Sequence, residues 1–152
     1  MDLSHPSNIK VLAYLSKRNP DAALALLPAE STRDPYMYLG SHPDIVERIW
    51  KEIGAALETE CRIIVFGTPT LIQPDSGIIL AFALGTSYCL HLPDGLVKTA
   101  LAAGAPTTTK WAGGRVTDAV KEFGEGWFFG KWLKDEITWC QQAYHAFGLS
   151  RN

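Results

Sequence analysis

The chain has 152 residues, 47% hydrophobic and 20% charged, with a formal net charge of −2. At this length one domain is expected, burying roughly 68–70% of the surface its unfolded chain exposes. The balance excludes a disordered or low-complexity chain and argues against non-specific nucleic-acid binding over the whole surface.

The first 60 residues read as helices and connectors. Ser4-His5-Pro6 and Ser41-His42-Pro43 echo one another, each reading as a serine N-cap with proline in the first helical turn, where its missing N–H costs nothing. The first echo opens a helix on which Ile9, Leu12 and Leu15 recur. Asn19-Pro20 then restarts a short helix carrying Leu24 and Leu27 up to Pro28, and residues 29–40, with Arg33, Asp34, Pro35 and Gly40, read as a connector. After the second echo, Asp44 completes a Ser-x-x-Asp capping box, and Ile45, Val46, Ile49, Trp50, Ile53 and Leu57 form an apolar stripe that predicts a helix over 42–58.

From Cys61 the texture becomes β. Arg62-Ile-Ile-Val-Phe66 is a β-branched run ended by Gly67, Leu71-Ile72 makes a second short strand, and Gln73-Pro-Asp-Ser-Gly77 is a turn. Residues 77–92 follow as the central hairpin: Ile78 to Leu84 is an unbroken apolar run suited to a strand buried on both faces. Beyond Gly85-Thr86, Tyr88, Leu90 and Leu92 alternate with Ser87, Cys89 and His91. No Lys or Arg falls between Arg62 and Lys98, so the flanking segments must cover this region.

Pro93-Asp94 starts a helix whose Leu96, Val97, Ala100 and Leu101 face inward, closed near Gly104. Thr107 to Trp111 has strand composition, and Val116, Ala119, Val120 and Phe123 suggest a short helix closed by Gly124. Trp127-Phe-Phe129 reads as an edge strand, and Leu133, Ile137, Cys140, Tyr144 and Phe147 line a terminal helix. The order predicts a single α+β domain over 1–152: a small, mostly antiparallel sheet with the central hairpin 77–92, covered by helices. Residues 1–40 form a helical N-terminal extension and 41–152 the main body. The central strand is expected to be the most buried, with helix 42–58 packed on the sheet and the terminal helix on the same side or capping its edge.

No complete catalytic motif occurs. Gly124-Glu-Gly126 lacks the third glycine of a dinucleotide-binding turn, since Phe129 stands there, and Gly104-Ala-Pro-Thr-Thr-Thr-Lys110 lacks the second glycine of a phosphate-binding loop. Cys89 and His91 share one side of a strand, about 6–7 Å apart along it. With Asp75 or Asp94 they spell thiol, base and orienting acid, set against the plainer reading of a buried cysteine and a histidine bonded to a backbone carbonyl. Trp111, Trp127, Phe128, Phe129, Trp132 and Trp139 lie among Lys110, Arg115, Lys131 and Lys134, which is the texture either of base stacking between cations or of a core with its solvated rim. The core reading fits most of these rings; Trp111, between Lys110 and Gly113-Gly114, is the exception.

The order from Gly67 onward resembles the small α/β proteins of the TfoX N-terminal and YjbR-like group. Its carriers are Gly67-Thr-Pro, Gly77-Ile-Ile-Leu-Ala-Phe82, Tyr88-Cys-Leu-His-Leu-Pro93, Ala102-Ala-Gly-Ala105, and Trp139 with Ala143-Tyr144, within residues 67–147. Residues 1–41 lie outside the resemblance, and 105–132 departs in length and in its Gly-Gly and tryptophan content. The resemblance implies an accessory or regulatory protein and carries over no catalytic residue.

The expectation is a non-enzymatic cytoplasmic interaction or regulatory module with a protein partner, its surface built on Lys110, Trp111, Arg115 and Trp127. A Cys89/His91 hydrolase or transferase and a weak single-stranded nucleic-acid binder are the alternatives. No cofactor or metal is expected, because Cys61, Cys89, Cys140 and the four histidines are scattered without ligand spacing. No membrane segment is expected either: Met-Asp-Leu-Ser-His-Pro carries no leader pattern, and no run of about 18 apolar residues follows.

Overall fold

A computed structural model describes residues 2–18, the backbone of 27–28, and residues 41–148. The N-terminal segment makes a 3-10 turn at Pro6–Asn8 and continues as α1 (Ile9–Arg18). Leu27–Pro28 is a short strand, β1, paired antiparallel through Leu27 with Ile64 and Pro28 with Ile63. The sequence places Leu27 in a helix instead. What it does not show is a long-range partner for this fragment, and a free strand edge overrides local propensity. The remainder of that expected helix and the 29–40 connector lie outside the described residues.

Both Ser-His-Pro echoes open helices, but histidine, not serine, is the cap. His5 Nδ1 accepts from the Ser7 N–H at 3.1 Å, and His42 Nδ1 accepts from the Asp44 N–H at 3.1 Å. Proline takes the first helical position, so the cap falls on the residue immediately before it, and an imidazole nitrogen reaches the second N–H as a short oxygen side chain would. Asp44 therefore completes no box with Ser41; it supplies the N–H that His42 accepts.

The predicted helix over 42–58 begins as α2 (Pro43–Glu47), widens into π-helical turns at Arg48–Ile53 and tightens into a 3-10 turn at Gly54–Ala56. Arg48, Ile49 and Trp50 are consecutive and all buried, so this segment is covered from more than one side. Single π turns inside helices often mark sites under special constraint.

β2 (Arg62–Val65), β3 (Thr68–Ile72), β4 (Ile79–Leu84) and β5 (Ser87–His91) run as a meander. A two-residue turn joins β2 to β3, with Phe66 at φ 48° and Gly67 at φ 73°, the left-handed pair that matches strand twist in a tight hairpin. Gly85, at φ 63°, opens the equally short turn between β4 and β5. Further along come α3 (Asp94–Ala102), the hairpin β6 (Thr108–Lys110) and β7 (Val116–Asp118), α4 (Ala119–Phe123), β8 (Trp127–Phe129) and α5 (Asp135–Gly148). Among the described residues the main sheet has the order β1-β2-β3-β4-β5-β8, with every pairing antiparallel; β6 and β7 form a separate two-stranded sheet. The fold is α+β, as the sequence predicts, with the 77–92 hairpin inside the sheet and Trp127–Phe129 at its edge.

Every residue of β4 is buried because helices cover both faces. On one face Leu80, Ala81, Ala83, Leu90 and Phe128 pack with Ile45, Val46, Ile49, Trp50 and Ile53, and with Trp139, Cys140 and Ala143 of α5. On the other, Ile79, Phe82, Leu84, Cys89, Trp127 and Phe129 pack with Val11 and Leu15 of α1 and Phe123 of α4. The register shifts by one residue opposite Leu71 and Ile72, so Leu80 and Ala81 both serve the first face. Buried Asn8 ties the N-terminal segment to β4, its amide donating to the Gly77 carbonyl at 2.8 Å and its Oδ1 accepting from the Ile79 N–H at 3.0 Å. Ile9, Leu101, Val116 and Val120 are corrections to the expected apolar faces: all four are exposed. Val116 sits in the small outer hairpin and not in a helix, and is 60% exposed there.

Candidate functional site

The β6–β7 hairpin organises the surface that the sequence singles out. Its loop is closed by the Trp111 N–H donating to the Arg115 carbonyl and the Gly114 N–H donating to the Trp111 carbonyl, both at 2.8 Å. Gly114 takes φ 86°, a conformation that L side chains rarely adopt. The half-buried Trp111 ring is held by two contacts: its Nε1–H donates to Thr117 Oγ1 at 2.7 Å, and it packs T-shaped with Phe129, ring centroids 6.4 Å apart. Trp111 and Arg115 line a cleft of about 370 Å³, together with Tyr14 and Arg18 of α1 and Gly85 of the β4–β5 turn. Burial lowers the Arg18 guanidinium below its ordinary pKa, and neighbouring Arg115 adds to the effect. The Tyr14 phenol is raised by burial while feeling both cations. Lys110 is exposed on the same hairpin.

Trp127 is not part of this surface. It is 1% exposed, tilted against Phe82 and stacked on His91, with ring centroids 4.8 Å apart. β8 is the edge strand, yet core layers flank both its faces, so its three aromatics are all buried.

Cys89 and His91 do share a strand, but their surroundings oppose a nucleophile and base. Cys89 has no exposure, and burial pushes its thiol well above the ordinary range. His91 Nδ1–H donates to the Ile79 carbonyl at 3.1 Å, which takes the place an orienting carboxylate would need. Burial, only partly offset by that bond, lowers the imidazole to about 4. Asp75 and Asp94 are both exposed. Cys61 and Cys140 are likewise buried thiols, raised by burial to about 11 and about 12. Among the described residues no group of three His, Cys, Asp or Glu side chains converges to hold a metal ion. No helix among them is long and apolar enough to cross a membrane.

A buried polar network that the sequence reading misses joins Arg48, Tyr88 and Glu136. The Tyr88 hydroxyl donates to Glu136 Oε1 and accepts from Arg48 Nε at 3.2 Å and the Trp132 N–H at 2.8 Å. Arg48 also donates to Glu136 at 3.0 Å, to Glu52 at 2.9 Å and to the Leu133 carbonyl at 2.7 Å, while Glu136 Oε2 accepts from the Lys131 N–H at 2.8 Å. Burial works against the Arg48 charge, but bonds with Tyr88 and Glu136 outweigh it and hold its pKa above the ordinary value. Burial, then the Glu136 bond, raises the Tyr88 phenol. Gly130 leaves room for the Tyr88 ring, and Trp132, at φ 58°, turns its indole outward beneath the Arg48 guanidinium, 5.4 Å from the ring centroid and 49% exposed. With its donors and acceptors matched, the network clamps these elements together. Its signal in the sequence is a charge inside an apolar stripe: Arg48 between Ile45 and Ile49, and Glu136 three residues after Leu133 and four before Cys140.

Comparison with protein-family models, with curated proteins and with solved structures gives no match for this chain.

Proposed function

We propose that the protein is a non-enzymatic binding module whose working surface is the Trp111–Arg115 cleft, and that its partner is a protein presenting an acidic segment. One observation carries this reading. Arg18 and Arg115 line the cleft with Tyr14 and Trp111, Lys110 stands on the same hairpin, and no carboxylate lines it among the described residues. Arginine pairs bidentately with carboxylates, and a tryptophan already fixed by its own hydrogen bond loses little freedom on binding. The net charge of −2 means that attraction is local to this cleft. Base stacking along a nucleic-acid strand is less well served, because burial of Trp127 leaves a single candidate indole here. The resemblance of residues 67–147 to TfoX N-terminal and YjbR-like proteins points the same way, towards an accessory or regulatory role. Three buried free thiols suit a reducing, cytoplasmic setting.

Isothermal titration at low salt with a short Glu-rich peptide, a Lys-rich control and a thymidine oligonucleotide tests this. The Glu-rich peptide should bind saturably, and Arg115→Glu or Trp111→Ala should weaken it by about tenfold or more, whereas Lys98→Ala on α3 should not. Capture from lysate should then yield a partner that Trp111→Ala loses. Preference for the oligonucleotide, or peptide binding indifferent to both cleft variants, rejects the proposal.

A further inference from the structure

A second cleft, of about 350 Å³, opens between the start of α1 and the end of α4, lined by the apolar Pro6, Ile9, Phe123 and Trp127 and by His91. It has the size of a small-molecule site and is independent of the hairpin cleft. Two of its lining residues carry a polar atom without a protein partner, and only one of these atoms is within reach of a ligand. The Trp127 indole N–H is buried without an acceptor, where buried indole N–H groups usually find one. His91 Nδ1–H is committed to the Ile79 carbonyl, so neutral His91 presents Nε2 as a lone-pair acceptor. The direction of that acceptor is fixed, since the imidazole is sandwiched between Trp127, at 4.8 Å and 7°, and Phe147, at 4.6 Å and 28°.

Glycines stand beside both rings. A Cβ on Gly126 would lie 3.6 Å from His91 Nε2, and one on Gly124 would lie 4.0 Å from Trp127 Cδ1, the carbon bonded to the unpaired nitrogen. Both glycines hold left-handed backbone, φ 85° and 117°, which strains any other residue. The charges at the rim, Lys10 and Glu125, are of opposite sign.

We propose that this cleft binds a small neutral molecule with an apolar body and one hydroxyl or carboxamide group, which donates to His91 Nε2. An anion has no proton to give the His91 lone pair and meets no net positive charge. A metal ion finds no group of three His, Cys, Asp or Glu side chains among the described residues. A purely apolar molecule leaves His91 Nε2 unsatisfied.

The test follows the five indole N–H resonances of the ¹⁵N-labelled protein during titration with phenol, benzamide, toluene and benzoate. Phenol and benzamide should shift the Trp127 indole signal saturably, and toluene and benzoate should bind about fivefold more weakly or not at all. His91→Phe keeps the ring stack and removes Nε2, so it should erase the advantage of phenol over toluene. Ile9 is 66% exposed, so Ile9→Glu should leave the fold intact and weaken phenol and toluene alike. If His91→Phe does not fold, Ile9→Glu with the four-probe ranking decides alone. The proposal is overturned if no probe shifts the Trp127 signal saturably, if toluene or benzoate matches phenol, or if Ile9→Glu leaves binding unchanged.

Discussion

Burial of His91 has a consequence that pH reads out. Its imidazole titrates near 4 in the folded chain, whereas an unfolded histidine titrates near 6.5. Between those values the unfolded state holds the extra proton, so the stability contributed by neutral His91 is fully present above about 6.5 and is lost as pH falls towards 4. The shift corresponds to a loss on the order of 3 kcal/mol across that window. Urea midpoints at pH 7 and pH 4.5 should therefore differ more for the wild type than for His91→Phe; equal differences would assign the acid sensitivity to other groups. The same crowding explains why Trp127 and Trp132 exchange the places that composition suggests. Trp127 lies on an edge strand closed in on both faces, while Trp132 follows Gly130 on left-handed backbone that turns it out to solvent. Sequence neighbours alone do not distinguish two tryptophans five residues apart.

Elements with one dominant local signal were legible, and those needing a distant partner were not. β4 is apolar at every position inside a stretch free of Lys and Arg, and only burial on both faces suits such a strand. The stripe from Ile45 to Ile53 likewise repeats at helical spacing and packs on the sheet, and α5 shares that face. The π-helical widening at Arg48–Ile53 left no mark in that spacing, because it accompanies Arg48 reaching α5, an element far along the chain. β1 was hidden for the same reason: two residues become a strand only because β2 offers an edge. Of the candidate site, Lys110, Trp111 and Arg115 could be found from their loop, but Arg18 and Tyr14 arrive through tertiary packing of α1. The burial of β4 also sets the size of a mutational effect. Phe82 is fully buried, edge-on to Phe123 at 5.1 Å and tilted against Trp127 at 5.3 Å. Phe82→Ala should lower unfolding free energy by about 3–5 kcal/mol. Lys98→Ala on the exposed face of α3 should change it by no more than about 0.5 kcal/mol. Denaturant melts showing the two variants equally stable would mean that β4 is not the centre of the core.

Across the whole molecule, core layers lie on both faces of the sheet, and a few polar groups cross element boundaries beside the apolar packing. Arg48, Tyr88 and Glu136 are those groups on one side. They join the π-helical segment, β5, the 130–133 loop and α5 through hydrogen bonds made almost entirely out of water. A buried ion pair of this kind contributes little net stability over an apolar replacement, because desolvation offsets the attraction, but removing one partner strands the other charge. Glu136→Leu leaves the Arg48 guanidinium buried with Glu52 and the Leu133 carbonyl, and leaves the Tyr88 hydroxyl without its acceptor. The expected loss is about 3–5 kcal/mol. Arg48→Met in the same chain removes the stranded charge, so the double variant should be more stable than Glu136→Leu alone, with a coupling of at least about 1 kcal/mol between the two sites. Guanidinium melts of the wild type, both single variants and the double variant measure that coupling directly. Additive losses would show that Arg48 and Glu136 act independently and that the clamp on α5 resides in apolar packing around Trp139, Cys140 and Ala143 instead.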